Sequence, residues 1–252
     1  MARIFEATEI NGLRLENRLV RSATWEGMAD DDGSVTPRLI RIYKELAEGG
    51  VGLIISSYMY VCPEGKQHIG QLAIHDDRFV PGLRKIAEAV HERGGRIVGQ
   101  IVHCGGQADP RVSGLPTVAP SDVESPGYRT VPEALPRDQI QQITEAFVLG
   151  AARLKEAGFD GVQLHGGHGQ LISNFLSPHL NVRKDPFGGS TENRSRIILE
   201  IVRRARELVG SNYPIMIKMN GDDFIPGGLT PDEAARIAIL IAQAGIDCIE
   251  VT

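Results

Sequence analysis

The sequence lacks the features that mark nucleic-acid-binding, membrane-spanning and disulfide-rich proteins. Among its 252 residues, 27 basic and 32 acidic side chains give a formal net charge of −5, so no nucleic-acid or membrane partner is indicated. No apolar run approaches the roughly 20 residues that a membrane-spanning helix requires. The three cysteines, Cys62, Cys104 and Cys248, form no CxxC pair or iron–sulfur motif, and we expect reduced thiols in a cytoplasmic protein.

The hydrophobic content of 42% suits one globular domain, in which short apolar segments alternate with amphipathic helices. The apolar segments predict six strands, at residues 19–23, 51–56, 96–102, 162–164, 214–219 and 247–251. Strands that are apolar on both faces and alternate with helices form parallel sheets. A (β/α)8 barrel and a doubly wound sheet both fit this α/β pattern.

Turn and capping residues mark several boundaries between these elements. Asn11-Gly12, within an alternating segment, predicts a β-hairpin. Thr36 followed by Pro37 predicts the start of a helix, and Thr230–Glu233 has the form of a capping box. Residues 105–136 are polar and proline-rich, and they predict a long loop.

The stretch 161–196 combines a strand, a glycine-rich turn and a long polar loop that leads into a helix. The turn is His165-Gly166-Gly167-His168-Gly169, and the loop after it carries Asn181, Arg183 and Asp185. Glycine loses the most chain entropy on folding, so three glycines here suggest a backbone that bends sharply or approaches a ligand. Long ordered loops on rigid scaffolds usually carry function.

Residues 165–194, HGGHGQLISNFLSPHLNVRKDPFGGSTENR, resemble the signature of the Old Yellow Enzyme family of FMN-dependent oxidoreductases. That signature is roughly His-x-x-His/Asn-Gly-Tyr-Leu, then Phe-Leu-Ser-Pro, Asn-x-Arg-x-Asp and Gly-Gly-Ser-x-Glu-Asn-Arg. The motifs match in order and spacing, and the similarity extends along the whole chain. The resemblance implies a (β/α)8 TIM barrel with FMN as cofactor and NADH or NADPH as reductant.

A barrel of this type needs eight strands, and the sequence supplies only six. The resemblance therefore implies that residues 1–252 form a single FMN-binding barrel domain that is C-terminally truncated, with strands seven and eight missing. It also places the N-terminal hairpin at the bottom of the barrel. Since the FMN phosphate normally docks on the loops of strands seven and eight, we expect this chain alone to bind FMN weakly or not at all.

His165 and His168 are the expected catalytic pair, and Gln170 is the third catalytic candidate. A histidine pair at this spacing is often structural, and on a helix it could ligate a metal. The glycines argue against a helix, however, and no third ligand has a sensible spacing, so we expect no metal. The resemblance implies that both imidazoles hydrogen-bond the carbonyl oxygen of an unsaturated substrate, where negative charge develops during hydride addition.

Gln170 departs from the family, which usually has a tyrosine there that gives a proton to the carbon beside the carbonyl. A glutamine amide cannot act as a general acid at neutral pH. Tyr58, Tyr60, water or a residue outside this chain could supply the proton, or the reaction could run as an oxidation. A simpler interpretation is that Gln170 only lines a pocket.

The resemblance also implies a set of flavin contacts in which His165 takes part. Ser22-Ala23-Thr24 would lie beside the flavin ring, with Thr24 at its O4 edge. Gln100 and Lys218 lie on apolar strands, where buried polar groups need partners; Gln100 would bond the pyrimidine end, and Lys218 would replace the usual arginine near N1 and O2. Tyr58 occupies a position that contacts flavin through its backbone in many members.

The function that these implications favour is hydride transfer from NAD(P)H, through FMN, to an activated alkene (an α,β-unsaturated carbonyl compound). Dehydrogenation of amines or alcohols on the same fold is an alternative, as is a non-catalytic fragment that lacks the phosphate site. The expected partner is a small-molecule substrate, and we expect a homo-oligomer. His103 and Cys104 follow the third strand, where they could face substrate or the surface.

Overall fold

The structure, a computed structural model, describes residues 3–128 and 130–252, which contain eleven strands and seven α-helices. The strands are β1 (Thr8–Ile10), β2 (Leu13–Leu15), β3 (Val20–Arg21), β4 (Leu53–Ile55), β5 (Met59–Tyr60), β6 (Ile97–Val102), β7 (Val118–Ala119), β8 (Glu133–Ala134), β9 (Gly161–Gly166), β10 (Ile215–Met219) and β11 (Cys248–Val251). The helices are α1 (Pro37–Glu48), α2 (Val80–His91), α3 (Pro110–Ser113), α4 (Arg137–Glu156), α5 (Leu171–Leu176), α6 (Thr191–Val209) and α7 (Pro231–Gln243). Short 3-10 turns lie at Arg3–Phe5, Pro63–Gly65, Asp77–Phe79 and Gly105–Gln107.

The main sheet contains the six predicted strands in chain order, β3-β4-β6-β9-β10-β11, and neighbouring strands are parallel; β5 adds a short pairing to β6. A doubly wound sheet reverses its strand order at a switch point, and this sheet does not. Because parallel crossovers are right-handed, an unreversed order puts the connecting helices on one face and curls the sheet. The doubly wound alternative is therefore wrong, and the sheet forms part of a barrel.

The curvature brings the two edges of the sheet together. Ser22, directly after edge strand β3, donates a hydrogen bond from its hydroxyl to Glu250 Oε1 on the opposite edge strand β11, over 2.6 Å. A flat sheet of six strands, spaced about 4.8 Å apart, could not place these edges in side-chain contact. The contact shows that the strands enclose an interior.

The N-terminal hairpin closes the amino-terminal end of that interior. Asn11 and Gly12 have the positive φ angles, 44° and 81°, that a tight hairpin turn requires, and β1 pairs with β2 in antiparallel fashion. Leu15 packs in a cluster with interior residues of the main sheet, namely Leu53, Ile55, Val98 and Met216. The hairpin therefore lies at the bottom of the partial barrel, as predicted.

The larger core lies between the sheet and the outer helices. Tyr43 of α1 and Phe147 of α4 are fully buried there. The helix starts follow the predicted signals: Thr36 caps α1, with Pro37 in its first turn, and Thr230 forms a capping box with Glu233 at α7.

Two segments that were predicted as loops contain regular structure. Residues 105–136, of which Arg129 lies outside the described residues, include α3 and the parallel pair β7 and β8. The polar loop after His168 begins with α5, in which every residue is buried. Elements of two to four residues are too short to show a period, and a helix that is buried all round has no amphipathic stripe. Within the described residues, no helix combines the length and hydrophobicity needed to cross a membrane.

Candidate active site

Polar side chains line the interior above the apolar cluster, towards the carboxyl ends of the strands. Three of them follow a residue of the apolar cluster by two positions: Gln100 on β6 follows Val98, Lys218 on β10 follows Met216, and Glu250 on β11 follows Cys248. The fourth, Gln163 on β9, lies opposite Gln100 in the register of the two strands. Side chains alternate between faces along a strand, so these four share the inner face. In barrels the carboxyl-terminal end of the strands carries the active site.

These side chains form one continuous hydrogen-bonded network. Gln100 Nε2 donates to Gln163 Oε1 over 2.7 Å, and Gln163 Nε2 donates to Glu250 Oε2 over 2.9 Å. Lys218 Nζ lies 3.0 Å from Glu250 Oε1 and donates to Ser22 Oγ over 2.9 Å. Three predicted cofactor residues, Ser22, Gln100 and Lys218, are thus joined through two that the prediction missed.

Glu250 is the centre of this network and carries a stable negative charge. Burial raises its pKa, but hydrogen bonds from Ser22, Gln163 and Lys218 outweigh burial and hold the pKa below its ordinary value. Sequence reasoning missed Gln163 and Glu250, although both interrupt apolar strands in the same way as Gln100 and Lys218.

His165 offers a neutral hydrogen-bond donor near the end of β9. The Gly167 N–H donates to His165 Nδ1 over 3.4 Å, so the ring proton lies on Nε2. Burial, together with His168 and Lys218, lowers the pKa of His165 to about 3. The ring is therefore neutral at physiological pH and presents an N–H group.

His168 lies in the turn that follows, in the left-handed conformation with φ 57°. Its ring is 5.2 Å from the His165 ring and nearly perpendicular to it. Asn220 Oδ1 accepts a hydrogen bond from the backbone N–H of His168 over 2.8 Å. On the ring, Nε2 of His168 lies 2.8 Å from Thr252 Oγ1. Burial and Lys218 lower the pKa of His168. The predicted histidine pair is thus assembled at the carboxyl end of the sheet.

Gln170 packs behind the histidine turn. Its Nε2 donates to Gln107 Oε1 over 3.1 Å, and Gln107 Nε2 donates to the His168 carbonyl over 2.8 Å. The Gln170 Oε1 atom is buried and has no partner among the described residues. Gln107, a residue that sequence reasoning missed, therefore links Gln170 to His168.

A cavity of about 390 Å³ opens beside His168. Its walls include Gln107, Ser125, Asn220 and Thr252, and Phe224 lies at the cavity with 88% of its surface exposed. Gln170 does not line this cavity.

The remaining predicted site residues lie around this region. Thr24 is exposed, and its hydroxyl donates to the Ser22 carbonyl over 3.3 Å; Ala23 is half-buried against the cluster at the barrel bottom. The Tyr58 ring packs edge-on against His165 at 6.1 Å, and its hydroxyl donates to Gln67 Oε1 over 3.2 Å. Burial, with Cys104 and Tyr128, raises the pKa of Tyr58 well above its ordinary value.

The donor set suits a flavin ring. Lys218 supplies a cation and Gln100 an amide, which together match the alternating carbonyl and N–H groups of a pyrimidine ring that becomes anionic on reduction. Ser22 bonds Lys218 directly and is connected to Gln100 through Glu250 and Gln163. The residues present therefore fit FMN.

One cluster within the described residues has the composition of a metal site: Cys62, Glu64 and His103, whose potential ligand atoms lie within 4.8 Å of one another. The Gly105 N–H donates to His103 Nδ1 over 3.0 Å, which places the ring proton on Nε2, the atom that faces Glu64. A metal would need the Nε2 lone pair, so we assign none. His103 and Cys104 are fully buried, and a surface role for them is wrong.

The loop after α5 is braced by the polar residues of the motif. Arg183 makes a two-pronged ion pair with Asp185, at 3.0 and 2.6 Å, and donates to the carbonyls of Pro120 and Leu135. Asn181 donates to the carbonyl of Phe175 in α5 and to that of Phe187 in the loop, and so ties the loop to the helix. Arg194 ties α6 to α7 through Glu233. These residues stabilise the loop rather than face the cavity.

A family model described as the NADH:flavin oxidoreductase / NADH oxidase family matches residues 3–252. The chain belongs to this family. The expected oxidoreductase family, with flavin and nicotinamide cofactors, is confirmed.

Individual relatives in this family differ in their reactions. The chain is 43% identical to an NADH oxidase of Thermoanaerobacter brockii, over 99% of this chain and 39% of the relative. It is 36% identical to an N,N-dimethylglycine/sarcosine dehydrogenase of Chromohalobacter salexigens, over 96% of this chain and 35% of the relative. The chain thus spans less than two fifths of the length of these two relatives.

Solved structures show the same likeness. The Old Yellow Enzyme homologue of Zymomonas mobilis superposes with a TM-score of 0.92 at 27% identity, over 98% of this chain and 72% of that one. The resemblance that was inferred from the histidine motif is confirmed.

Proposed function

We propose that the chain provides the flavin ring site and the substrate site of an FMN-dependent NAD(P)H oxidoreductase that reduces α,β-unsaturated carbonyl compounds. The observation that carries the proposal is the position of His165, a buried neutral imidazole with its proton on Nε2, beside the network of Ser22, Gln100 and Lys218. FMN, when bound, would take hydride from NADH or NADPH and pass it to the alkene.

The protein's task in this reaction is to bind the charge that develops on the substrate oxygen. We assign that role to His165 Nε2–H and to His168, whose Nε2 can accept from the Thr252 hydroxyl so that its other nitrogen donates. Both imidazoles are held by backbone or side-chain contacts before substrate arrives, and preorganised donors of this kind supply much of the rate enhancement in oxyanion sites.

The proton for the substrate carbon must come from another group. Gln170 is an amide that is bonded to Gln107, and the raised pKa of Tyr58 makes its hydroxyl a weak acid. We assign the proton to water in the cavity beside His168, because that cavity adjoins one of the two imidazoles.

We further propose that residues 1–252 form one FMN-binding domain whose six strands belong to an eight-stranded barrel. The unreversed strand order and the contact between Ser22 and Glu250 support this proposal. Weak FMN binding by the isolated 252-residue chain follows from the same proposal, and fluorescence titration measures it: a submicromolar Kd would contradict the assignment of the phosphate site to later strands.

Reduction of 2-cyclohexenone by the FMN-loaded protein, with NADH and with NADPH, tests the proposed function. His165→Asn should lower kcat/KM by about a hundredfold or more, since loss of one donor to a developing oxyanion typically costs 10²–10³. His179→Asn, at an exposed histidine, is the matched control and should keep wild-type activity. Equal activity in the two variants would contradict the proposal.

Dehydrogenation of a secondary or tertiary amine is the second candidate, because one relative is a dimethylglycine/sarcosine dehydrogenase. Sarcosine and dimethylglycine, assayed with an artificial electron acceptor, separate the two candidates. Turnover of these amines without turnover of 2-cyclohexenone would favour the second.

A further inference from the structure

Lys218 does not act as a free cation in this site. Its ammonium lies 3.0 Å from Glu250 Oε1 and 2.9 Å from Ser22 Oγ, and the residue is only 8% exposed. Glu250 faces it from the neighbouring strand in direct register. The proposed reaction needs Lys218 but gives no role to Glu250.

The carboxylate of Glu250 also fixes the direction of the amides beside it. A carboxylate only accepts hydrogen bonds, so Gln163 must turn its NH₂ group towards Glu250 and its oxygen towards Gln100. Gln100 then donates one of its N–H groups to Gln163, and its own carbonyl oxygen takes no part in that bond. One carboxylate thus orients two amides and one ammonium group.

The charge of the pair matters for a ring that becomes negative on reduction. A lone buried cation would favour the reduced, anionic form of FMN strongly, since charges interact more strongly in a protein interior than in water. A carboxylate at 3.0 Å from the ammonium offsets most of that field. The pair as a whole has no net charge.

We infer that Glu250 is a positioning residue that sets the reduction potential of FMN, by neutralising Lys218 and by fixing the amides of Gln163 and Gln100. The inference rests on the proposed function, since it requires FMN to lie against Lys218. Glu250 makes the bound flavin harder to reduce than it would be beside Lys218 alone.

The test is the ratio of the dissociation constants of oxidised and reduced FMN, obtained from the reduction potential of the holoenzyme by equilibration with a reference dye. Glu250→Gln keeps the size of the side chain and removes its charge. We expect reduced FMN to be favoured at least tenfold more than in the wild type, which for a two-electron couple is a positive shift of about 30 mV. Glu16→Gln removes a carboxylate that is exposed at the surface and should leave the potential unchanged.

Lys218→Gln and the double variant complete the cycle. Lys218→Gln alone should shift the potential in the negative direction, and Lys218→Gln combined with Glu250→Gln should return the ratio to within about threefold of the wild type, because both charges of a neutral pair are then removed. A purely structural role for Glu250 would not produce this pattern. If Glu250→Gln does not fold, Glu250→Asp withdraws the carboxylate from Lys218 and should give a smaller positive shift.

An unchanged or more negative potential in Glu250→Gln, or in Glu250→Asp where only that variant folds, would overturn the inference while leaving the proposed function intact. The inference would also be overturned if the ratio of dissociation constants in the double variant differed from that of the wild type by clearly more than about threefold. Failure of the wild-type protein to reduce 2-cyclohexenone at saturating FMN would overturn the proposed function, and the inference with it.

Discussion

The side-chain amide of Gln107 donates to the carbonyl oxygen of His168 over 2.8 Å, across 61 positions of sequence. His168 is the member of the histidine pair with a left-handed backbone, a conformation that costs a residue with a Cβ about 1–2 kcal/mol. Gln107 also holds Gln170 through its oxygen. One amide from the turn after β6 therefore holds the histidine turn after β9.

Gln107→Met should lower kcat/KM for 2-cyclohexenone by about tenfold. Methionine is similar in length but keeps neither hydrogen bond, and two bonds of about 1 kcal/mol each exceed the 1.4 kcal/mol that corresponds to a factor of ten. Steady-state kinetics on the FMN-loaded protein measures the change. The exposed Gln141→Met is the control and should match the wild type, and a Gln107 variant that also matches it would show that His168 needs no such support.

The stability of the protein should fall in acid because His103 is buried in its neutral form. Burial lowers the pKa of His103 to about 3 in the folded protein, against an ordinary value near 6.5. Between these values the unfolded chain binds the extra proton, so the free energy of unfolding decreases as the pH falls below about 6.5. The expected contribution is about 1.4 kcal/mol for each pH unit.

Urea denaturation of His103→Asn at pH 7 and at pH 5 isolates this contribution. Asparagine can still accept from the Gly105 N–H but cannot titrate, so the stability gap between wild type and variant should narrow by about 2 kcal/mol between the two pH values. Ile101→Val, a core change without a titratable group, should give a gap that does not depend on pH. A constant gap for His103→Asn would show that the imidazole is not buried in its neutral form.

Much of the fold followed from local signals in the sequence. The Asn11-Gly12 turn, the Thr230 capping box and all six strands of the main sheet are where their residues predicted them. These features depend on residues that are close together in the chain. Strand order distinguished a barrel from a doubly wound sheet, and it became visible only in the three-dimensional pairing.

The site was harder to predict because its contacts join distant parts of the chain. The motif drew attention to His165 and His168, and the structure brings both together with Ser22, Gln100 and Lys218 at one end of the sheet. Their cofactor and catalytic roles remain proposals. Glu250 interrupts an apolar strand as Lys218 does, but its three partners, Ser22, Gln163 and Lys218, are 228, 87 and 32 positions away. No local pattern in the sequence links Glu250 to them.

Gly188 and Gly189 are adjacent glycines that the loop requires for different reasons. A Cβ on Gly188 would lie 2.4 Å from the carbonyl oxygen of Arg183 and 2.7 Å from its carbonyl carbon, both backbone atoms. A Cβ on Gly189 would meet nothing within 4 Å, but this residue has a φ of 82°. One position is limited by space and the other by backbone conformation.

Gly188→Ala should therefore destabilise the protein more than Gly189→Ala. The strained backbone at Gly189 should cost about 1 kcal/mol in an alanine variant. The clash at Gly188 must displace Arg183, whose contacts with Asp185, Pro120 and Leu135 brace the loop, and overpacking of this kind typically costs about 1–3 kcal/mol, with the loss of those contacts in addition. Urea denaturation should show a difference of at least about 1 kcal/mol between the variants, and limited proteolysis should cut the loop at 177–189 faster only in Gly188→Ala. Equal stabilities would mean that Arg183 can move away without loss, and that the network around it does not brace the loop.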